Sequence, residues 1–158
     1  MRVWRPVLTA AVLSVALAGC GAEAPSPGAA SESSGPWSFT DGSGRLVTAE
    51  QTPTRIIAHA GEAAALMSFG IRPIGIYADE PVATDPNLKD LDLAGIEILG
   101  EEWGIIDVEK AASLRPDLIV ADWWPAENAN SGFEEGVDEK SKRLADLAPV
   151  VGVSQGRS

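Results

Sequence analysis

Short runs of apolar, β-branched residues alternate with short amphipathic stretches from Thr54 to the end of the chain. Three of the amphipathic stretches predict helices, and Gly70 and Pro116 stand where the first two would end. Strands that are apolar throughout and alternate with helices are typical of a parallel sheet covered on both faces. We therefore predict an α/β fold, a three-layer sandwich with a mainly parallel sheet. The predicted strands are Arg55–His59, Pro73–Tyr77, Glu97–Leu99, Asp117–Ala121 and Pro149–Val153, and the predicted helices are Glu62–Phe69, Asp107–Leu114 and Asp138–Leu147.

A small β-hairpin is predicted before this alternating region. Trp37–Thr40 and Arg45–Thr48 are β-prone runs, and the four residues between them read Asp-Gly-Ser-Gly. Such a sequence tolerates positive φ and is typical of a tight turn.

Aromatic and acidic residues come directly after several predicted strands. Because the carboxyl ends of parallel strands meet at one edge of a sheet, these residues should converge there. Aromatic rings with acids and no nucleophile suit the binding of a bulky ligand by stacking and hydrogen bonding. The candidate ligand-binding residues are His59, Glu62, Tyr77, Trp103, Asp122, Trp123 and Trp124.

Each of these residues also has a purely structural interpretation. His59 is compatible with a hydrogen-bonded structural role. Trp123 and Trp124 point to opposite sides of an extended chain, so one of them is compatible with a place in the core. The acids are compatible with a solvated rim.

The N-terminal segment is typical of a secretory signal. Arg2 and Arg5 precede an uncharged apolar run that is too short for a membrane span of about 20 residues. The sequence Leu-Ala-Gly-Cys that ends at Cys20 resembles the lipobox of bacterial lipoproteins. That resemblance implies that residues 1–19 are a cleaved signal peptide and that Cys20 carries a lipid anchor in the membrane. Residues 20–36, rich in Gly, Pro and Ser, are predicted to be a flexible tether.

Composition excludes several functions. The chain has 12 Lys and Arg against 23 Asp and Glu, a net charge of −11, which argues against a nucleic-acid partner. One Cys and one His cannot form a disulfide or a structural zinc site of Cys and His ligands. Nucleophile-elbow, phosphate-loop, dinucleotide and zinc-protease motifs are absent from the sequence, so no catalytic residue, resident metal or cofactor is expected.

Several segments together resemble the N-terminal lobe of periplasmic binding proteins for ferric siderophores, haem and cobalamin. These segments are Thr54–Ala58, Glu62–Leu66, Phe69–Ile76, Trp103–Glu109 and Leu114–Ile119, which include Gly-Ile-Arg-Pro-Ile-Gly and Leu-Arg-Pro-Asp-Leu-Ile. The resemblance covers about residues 37–158. It implies a receptor of an ABC importer that captures a metal chelate outside the membrane, passes it to a permease, and lacks the C-terminal lobe within this chain.

The resemblance also implies roles for single residues. Trp103 corresponds to an aromatic residue that lines the ligand cleft, and Glu109 to an acid that pairs with arginines of the permease. The loops that follow the predicted strands carry no Arg or Lys. Binding of an anionic triscatecholate would need such positively charged side chains. A neutral or cationic chelate such as a ferric hydroxamate is therefore favoured over a triscatecholate, and cobalamin and haem rank behind the hydroxamate.

Three other interpretations stay open. The chain is also compatible with an envelope lipoprotein that binds a protein partner through its Trp-rich edge, which a large exposed apolar patch would favour. It is compatible with a non-functional fragment of a binding protein. It is compatible, finally, with an enzyme domain whose catalytic residues lie in a missing C-terminal portion.

Overall fold

The computed structural model describes residues 35–154. The predicted signal peptide of residues 1–19, the predicted lipid-anchor Cys20 and all but the last two residues of the predicted tether lie outside this range. Within the described range, no helix has the length and apolar character that a bilayer crossing requires.

Eight strands and three short helices form the described part of the chain. The strands are β1 (Trp37–Thr40), β2 (Leu46–Ala49), β3 (Ile56–His59), β4 (Gly75–Ala78), β5 (Glu97–Glu101), β6 (Leu118–Trp124), β7 (Ala129–Asn130) and β8 (Val150–Ser154). The helices are α1 (Ala60–Ser68), α2 (Val108–Ser113) and α3 (Glu139–Lys142), and a 3₁₀ turn at Arg143–Asp146 follows α3.

The central sheet is parallel except for one short strand. β3 pairs in parallel with β4 on one side and β6 on the other, and β4 pairs in parallel with β5. β6 also pairs in parallel with β8, and its last two residues pair with the antiparallel β7. The carboxyl ends of β3, β4, β5 and β6 therefore lie along one edge of the sheet.

Two apolar cores cover the two faces of this sheet. Ile56 and Ala58 of β3 belong to the core on the side of α1, and Ile57 belongs to the core on the side of α2. This division follows from the two-residue period of a strand, because neighbouring side chains point to opposite faces. The predicted α/β fold with a mainly parallel sheet is confirmed.

The predicted hairpin is also confirmed, since β1 and β2 pair antiparallel. Its turn is fastened to the main sheet: the Gly42 N–H donates to the Gly152 carbonyl at 2.6 Å, and Arg45 donates to the Val150 carbonyl at 2.5 Å.

Several elements are longer or shorter than the sequence predicts. β5 extends to Glu101 and β6 to Trp124, and α1 begins at Ala60. Residues that were expected in the loops after the strands therefore belong to strands or to a helix. The predicted helix Asp138–Leu147 is instead α3 and a 3₁₀ turn. β7 was not predicted, because two residues are too few to give a strand signal.

Candidate functional site

Three buried polar side chains meet where β3 and β6 end. His59 is the last residue of β3, Glu62 lies in the first turn of α1, and Asp122 lies in β6. His59 Nδ1 lies 3.0 Å from Asp122 Oδ2 and 3.6 Å from Glu62 Oε2. All three residues are buried, with 5–8 % of their surface exposed. We call these three residues the His59 cluster.

A fourth carboxylate reaches the other side of the imidazole ring. Asp79, directly after β4, places Oδ2 3.3 Å from His59 Nε2, and its side chain is about half exposed (48 %). His59 therefore has buried carboxylates at Nδ1 and a solvent-facing carboxylate at Nε2.

The cluster shifts the proton equilibria of its members. Burial alone would lower the pKa of His59, but the hydrogen bond to Asp122 and the nearby carboxylates of Asp79 and Glu62 outweigh burial and raise it to about 11. Burial raises the pKa of Glu62, and the neighbouring Asp122 adds to that rise while His59 opposes it. In the absence of another cation, a proton on the imidazole supplies the positive charge that the carboxylates require.

Tyr77 lies beside the imidazole as the partner of His59 in the β3–β4 pairing. The two ring centroids are 5.3 Å apart and the rings are tilted by 53°. Tyr77 is 2 % exposed, and its hydroxyl donates to the Ser131 carbonyl at 2.9 Å. Burial, together with the surrounding carboxylates, raises the pKa of Tyr77 well above its ordinary value. The phenol therefore acts as a neutral hydrogen-bond donor.

Trp124 joins the same network through Ser131. Its indole N–H donates to the Ser131 hydroxyl at 2.8 Å, while its side chain remains exposed (43 %). An indole fixed at its N–H and open on its surface is a suitable stacking platform.

Trp103 is exposed at the end of β5 (47 %). It sits in a tight turn in which the Ile105 N–H donates to the Glu102 carbonyl, and Gly104 takes the positive φ of 75° that this turn requires. Its ring lies against Gly136, where a Cβ would come within 3.3 Å of Cη2. The segment 131–136 therefore contacts Trp124 and Tyr77 at one end and Trp103 at the other.

Trp123 is directed away from Trp124. Its Cβ lies close to Gly42 and Gly152, and its side chain lines a groove of about 460 Å³ beside the hairpin turn. Alternation along β6 explains this placement, because neighbouring residues of a strand face opposite sides. The structure thus gathers His59, Glu62, Tyr77, Asp122 and Trp124, sets Trp103 at the far end of the 131–136 segment, and places Trp123 apart.

Glu109 lies on α2 in a different surface feature. It is exposed and lines a groove of about 470 Å³ between α2 and the α3 region, together with Val108, Arg143 and Leu147. Asp107 caps the helix by accepting from the Lys110 N–H at 2.9 Å.

Ser131 and Glu134 are functional residues that sequence reasoning missed. Ser131 accepts hydrogen bonds from the Tyr77 hydroxyl and the Trp124 indole N–H. Glu134 Oε2 accepts from the backbone N–H groups of residues 132 and 133, and these bonds shape the 131–136 segment. A Ser and a Glu in a Gly-rich stretch carry no distinguishing pattern, so no sequence signal would have identified them.

Negative charge dominates this edge. The segments that end or follow β3, β4, β5 and β6, namely residues 59–62, 79–82, 101–104 and 122–136, contain nine Asp and Glu and no Lys or Arg. Glu101 joins two of these segments by accepting from the Val82 N–H at 2.9 Å. An anionic ligand would meet no Lys or Arg in these segments.

The comparisons with known proteins agree with this architecture. No family model matches the chain. In sequence it is 32 % identical over 146 residues to the iron(3+)-hydroxamate-binding protein FhuD of Bacillus subtilis, which covers 91 % of this chain and 41 % of FhuD.

Solved structures give the same result. DesE, a ferric-siderophore receptor protein from Streptomyces coelicolor, matches with a TM-score of 0.63 and 36 % identity over 75 % of this chain and 40 % of DesE. SirA of Staphylococcus aureus, solved in complex with staphyloferrin B, matches with a TM-score of 0.50 and 26 % identity over 74 % of this chain and 36 % of SirA.

The chain spans about two fifths of the length of these relatives. It is therefore similar in sequence and in fold to one part of the ferric-siderophore-binding proteins, and the family resemblance predicted from its sequence is confirmed.

Proposed function

We propose that this chain is the N-terminal lobe, residues 37–158, of a receptor that captures an iron–siderophore complex for an ABC importer. The observation that carries the proposal is the pair of exposed indoles, Trp103 and Trp124, held at one edge of the sheet by the segment 131–136. Large apolar groups that remain exposed while their positions are fixed from behind are a feature of ligand-binding surfaces.

The proposed ligand is a neutral or cationic chelate of the ferric hydroxamate class. The edge offers carboxylates such as Asp79 and Glu102 without a Lys or Arg in the segments that form it. A triscatecholate would bring further negative charge to this surface, at an electrostatic cost. FhuD, described as a hydroxamate-binding protein, supports the same choice.

In this proposal the residues of the edge divide into two roles. Trp103 and Trp124 stack on the ligand, while His59, Glu62, Tyr77 and Asp122 form the floor that positions Asp79 and Ser131. Trp123 contacts the ligand only from the side of the hairpin turn, because it points away from Trp124.

We further propose that the protein works in the cell envelope, outside the cytoplasmic membrane. Residues 1–19 act as the signal peptide, a lipid on Cys20 anchors the chain, and residues 20–36 tether the lobe. Glu109, exposed on α2, docks on the permease. The function is binding and delivery, without a catalytic step.

Trp fluorescence tests the ligand proposal. The full chain is titrated with a ferric hydroxamate and, separately, with a ferric triscatecholate. We expect saturable quenching by the hydroxamate at lower concentration than by the catecholate. Trp103→Ala and Trp124→Ala should weaken binding, each by up to roughly 10-fold, because aromatic stacking contributes about 0.5–1.5 kcal/mol.

The matched control is Trp37→Phe, which removes an indole stacked on Phe39 in the hairpin. Its affinity should equal that of the unaltered chain. Absence of saturable binding by either chelate, or equal losses in all three variants, would contradict the proposed ligand site.

A further inference from the structure

Glu62 points a buried carboxylate oxygen into the His59 cluster without a hydrogen bond. Its Oε2 has no hydrogen-bond partner among the described residues, although the residue is only 5 % exposed. A buried carboxylate left in this state is costly unless a positive charge lies beside it. The cluster therefore contains a buried oxygen, Glu62 Oε2, that points toward the other two side chains and is free to bind a cation.

The ligand atoms of the cluster have the spacing of a metal site. One atom each from His59, Glu62 and Asp122 can be chosen so that all lie within 4.8 Å of one another. Nδ1 is 3.0 Å from Asp122 Oδ2 and 3.6 Å from Glu62 Oε2. In a tetrahedral zinc site with bonds of about 2.0–2.1 Å, neighbouring ligand atoms are about 3.3 Å apart, and the observed distances lie on either side of that value.

A carboxylate also lies on the far side of the imidazole, where metal sites commonly have one. A histidine that binds a metal through one ring nitrogen commonly donates the other N–H to a carboxylate, which fixes the ring and its tautomer. Here Nε2 lies 3.3 Å from Asp79 Oδ2, within ion-pair distance but without the geometry of a hydrogen bond. Asp79 is about half exposed, so its side chain can turn toward Nε2 when a metal binds at Nδ1.

We propose that His59 Nδ1, Glu62 and Asp122 bind a divalent transition-metal ion of the zinc type, with Asp79 orienting the imidazole and a water or exogenous ligand completing the shell. One nitrogen and two carboxylate oxygens suit such an ion. The ion takes the place of the proton on Nδ1 as the positive charge among the carboxylates. One Cys and one His cannot form a zinc site of Cys and His ligands, and this cluster provides three ligands by using two carboxylates.

Zinc binding by the full chain, without any siderophore, tests this site. The protein carries Cys20→Ser so that the thiol cannot bind zinc, is stripped with a chelator and is titrated with Zn²⁺ against a chromophoric competitor. We expect one Zn²⁺ per chain. Asp79→Asn should weaken binding by about 10- to 100-fold, and Glu62→Gln by at least as much, because Asp79 supports a ligand while Glu62 is one.

Glu127→Gln, which removes an exposed acid from the turn after β6, is the control and should bind zinc as tightly as the Cys20→Ser parent. Equal affinity in the parent, Asp79→Asn and Glu62→Gln proteins, or no zinc bound by the parent, would overturn the proposal. X-ray absorption of the zinc-loaded parent covers the case in which Glu62→Gln does not fold. A shell of nitrogen and oxygen with one imidazole supports the site, and a shell without imidazole rejects it.

Discussion

The backbone N–H of Ile106 donates a hydrogen bond of 2.8 Å to the hydroxyl of Ser141, which lies 35 residues further along the chain. Ser141 is 1 % exposed and belongs to α3, while Ile106 immediately precedes the Asp107 cap of α2. This bond connects the segment after Trp103 to the α3 region. Because the bond is buried, water could not replace the Ser141 hydroxyl as acceptor if that hydroxyl were removed.

Ser141→Ala should therefore lower the free energy of unfolding by about 1–3 kcal/mol, because the Ile106 N–H is left buried without an acceptor. Urea unfolding followed by Trp fluorescence measures this change. Ser113→Ala removes a hydroxyl that bonds the Lys110 carbonyl on an exposed surface, and it should cost less than about 0.5 kcal/mol. Equal losses in the two variants would show that burial of the Ile106 N–H has no energetic consequence.

Gly100→Ala should disturb the turn that carries Trp103. A Cβ at Gly100 would overlap the Ile105 carbonyl oxygen, which belongs to backbone and cannot move aside cheaply. We expect the free energy of unfolding to fall by about 1–3 kcal/mol and ferric hydroxamate binding to weaken.

Gly61→Ala provides the matched control for that substitution. Gly61 lies in the first turn of α1, where the nearest atom to an added Cβ is Asp122 Oδ2 at 4.0 Å. Alanine should stabilise the helix by about 0.5–1 kcal/mol. A Gly100→Ala protein as stable as the Gly61→Ala protein would contradict the close approach of Ile105.

The fold was predictable because most of its information is local. Alternating apolar runs such as Asp117–Ala121 and helix ends such as Gly70 depend on neighbouring residues alone. The end of β6 did not follow from local sequence, since Asp122–Trp124 becomes strand by pairing with β7 and β8, and those partners lie further along the chain. The third predicted helix consists of two segments, α3 and the 3₁₀ turn that follows it.

The candidate site was predictable only as far as parallel strands imply a shared edge. That reasoning brings His59, Asp122 and Trp124 into one region, and the structure places them there. It could not select Ser131, since the position of the 131–136 segment depends on tertiary hydrogen bonds from Tyr77 and Trp124. It places Trp123 and Trp124 on opposite sides of an extended chain, but it could not decide which of the two faces the site.

Acid should destabilise the protein in part through Asp41. Burial opposes ionisation of this carboxyl, but hydrogen bonds from Ser43 and Arg45 and the charge of Arg45 lower its pKa below 3.8. A carboxyl whose pKa is lowered by folding stabilises the folded state above its ordinary pKa, and that stabilisation is lost as pH falls through the folded value.

We therefore expect the stability of the unaltered chain to fall between about pH 5 and pH 3 more than that of Asp41→Asn, because the variant has no carboxyl to protonate at this position. Urea midpoints across the range measure the difference, with Asp90→Asn, an exposed acid in the loop before β5, as control. Parallel pH profiles for all three proteins would be inconsistent with a lowered pKa at Asp41.

Glu109→Gln should impair delivery without affecting capture. Glu109 is exposed on α2, away from the residues that contact Trp103 and Trp124, so ferric hydroxamate affinity should be unchanged. Removing a rim charge at a protein interface chiefly slows association, and uptake by cells that carry the cognate permease should fall several-fold. Glu50→Gln, which removes an exposed acid after β2, should transport normally. A variant that loses ligand affinity, or one that transports at the rate of the unaltered chain, would argue against a docking role for Glu109.

The most direct test of the proposed ligand site is the spectrum of the indole N–H groups in ¹⁵N-labelled protein. The chain has five Trp, and single Trp→Phe substitutions assign their signals. A hydroxamate siderophore loaded with Ga³⁺, a diamagnetic substitute for Fe³⁺, is added to saturation. We expect the signals of Trp103 and Trp124 to shift together while that of Trp37 stays in place. Shifts confined to Trp37, or no shift at Trp103 and Trp124, would contradict ligand capture at the carboxyl edge of the sheet.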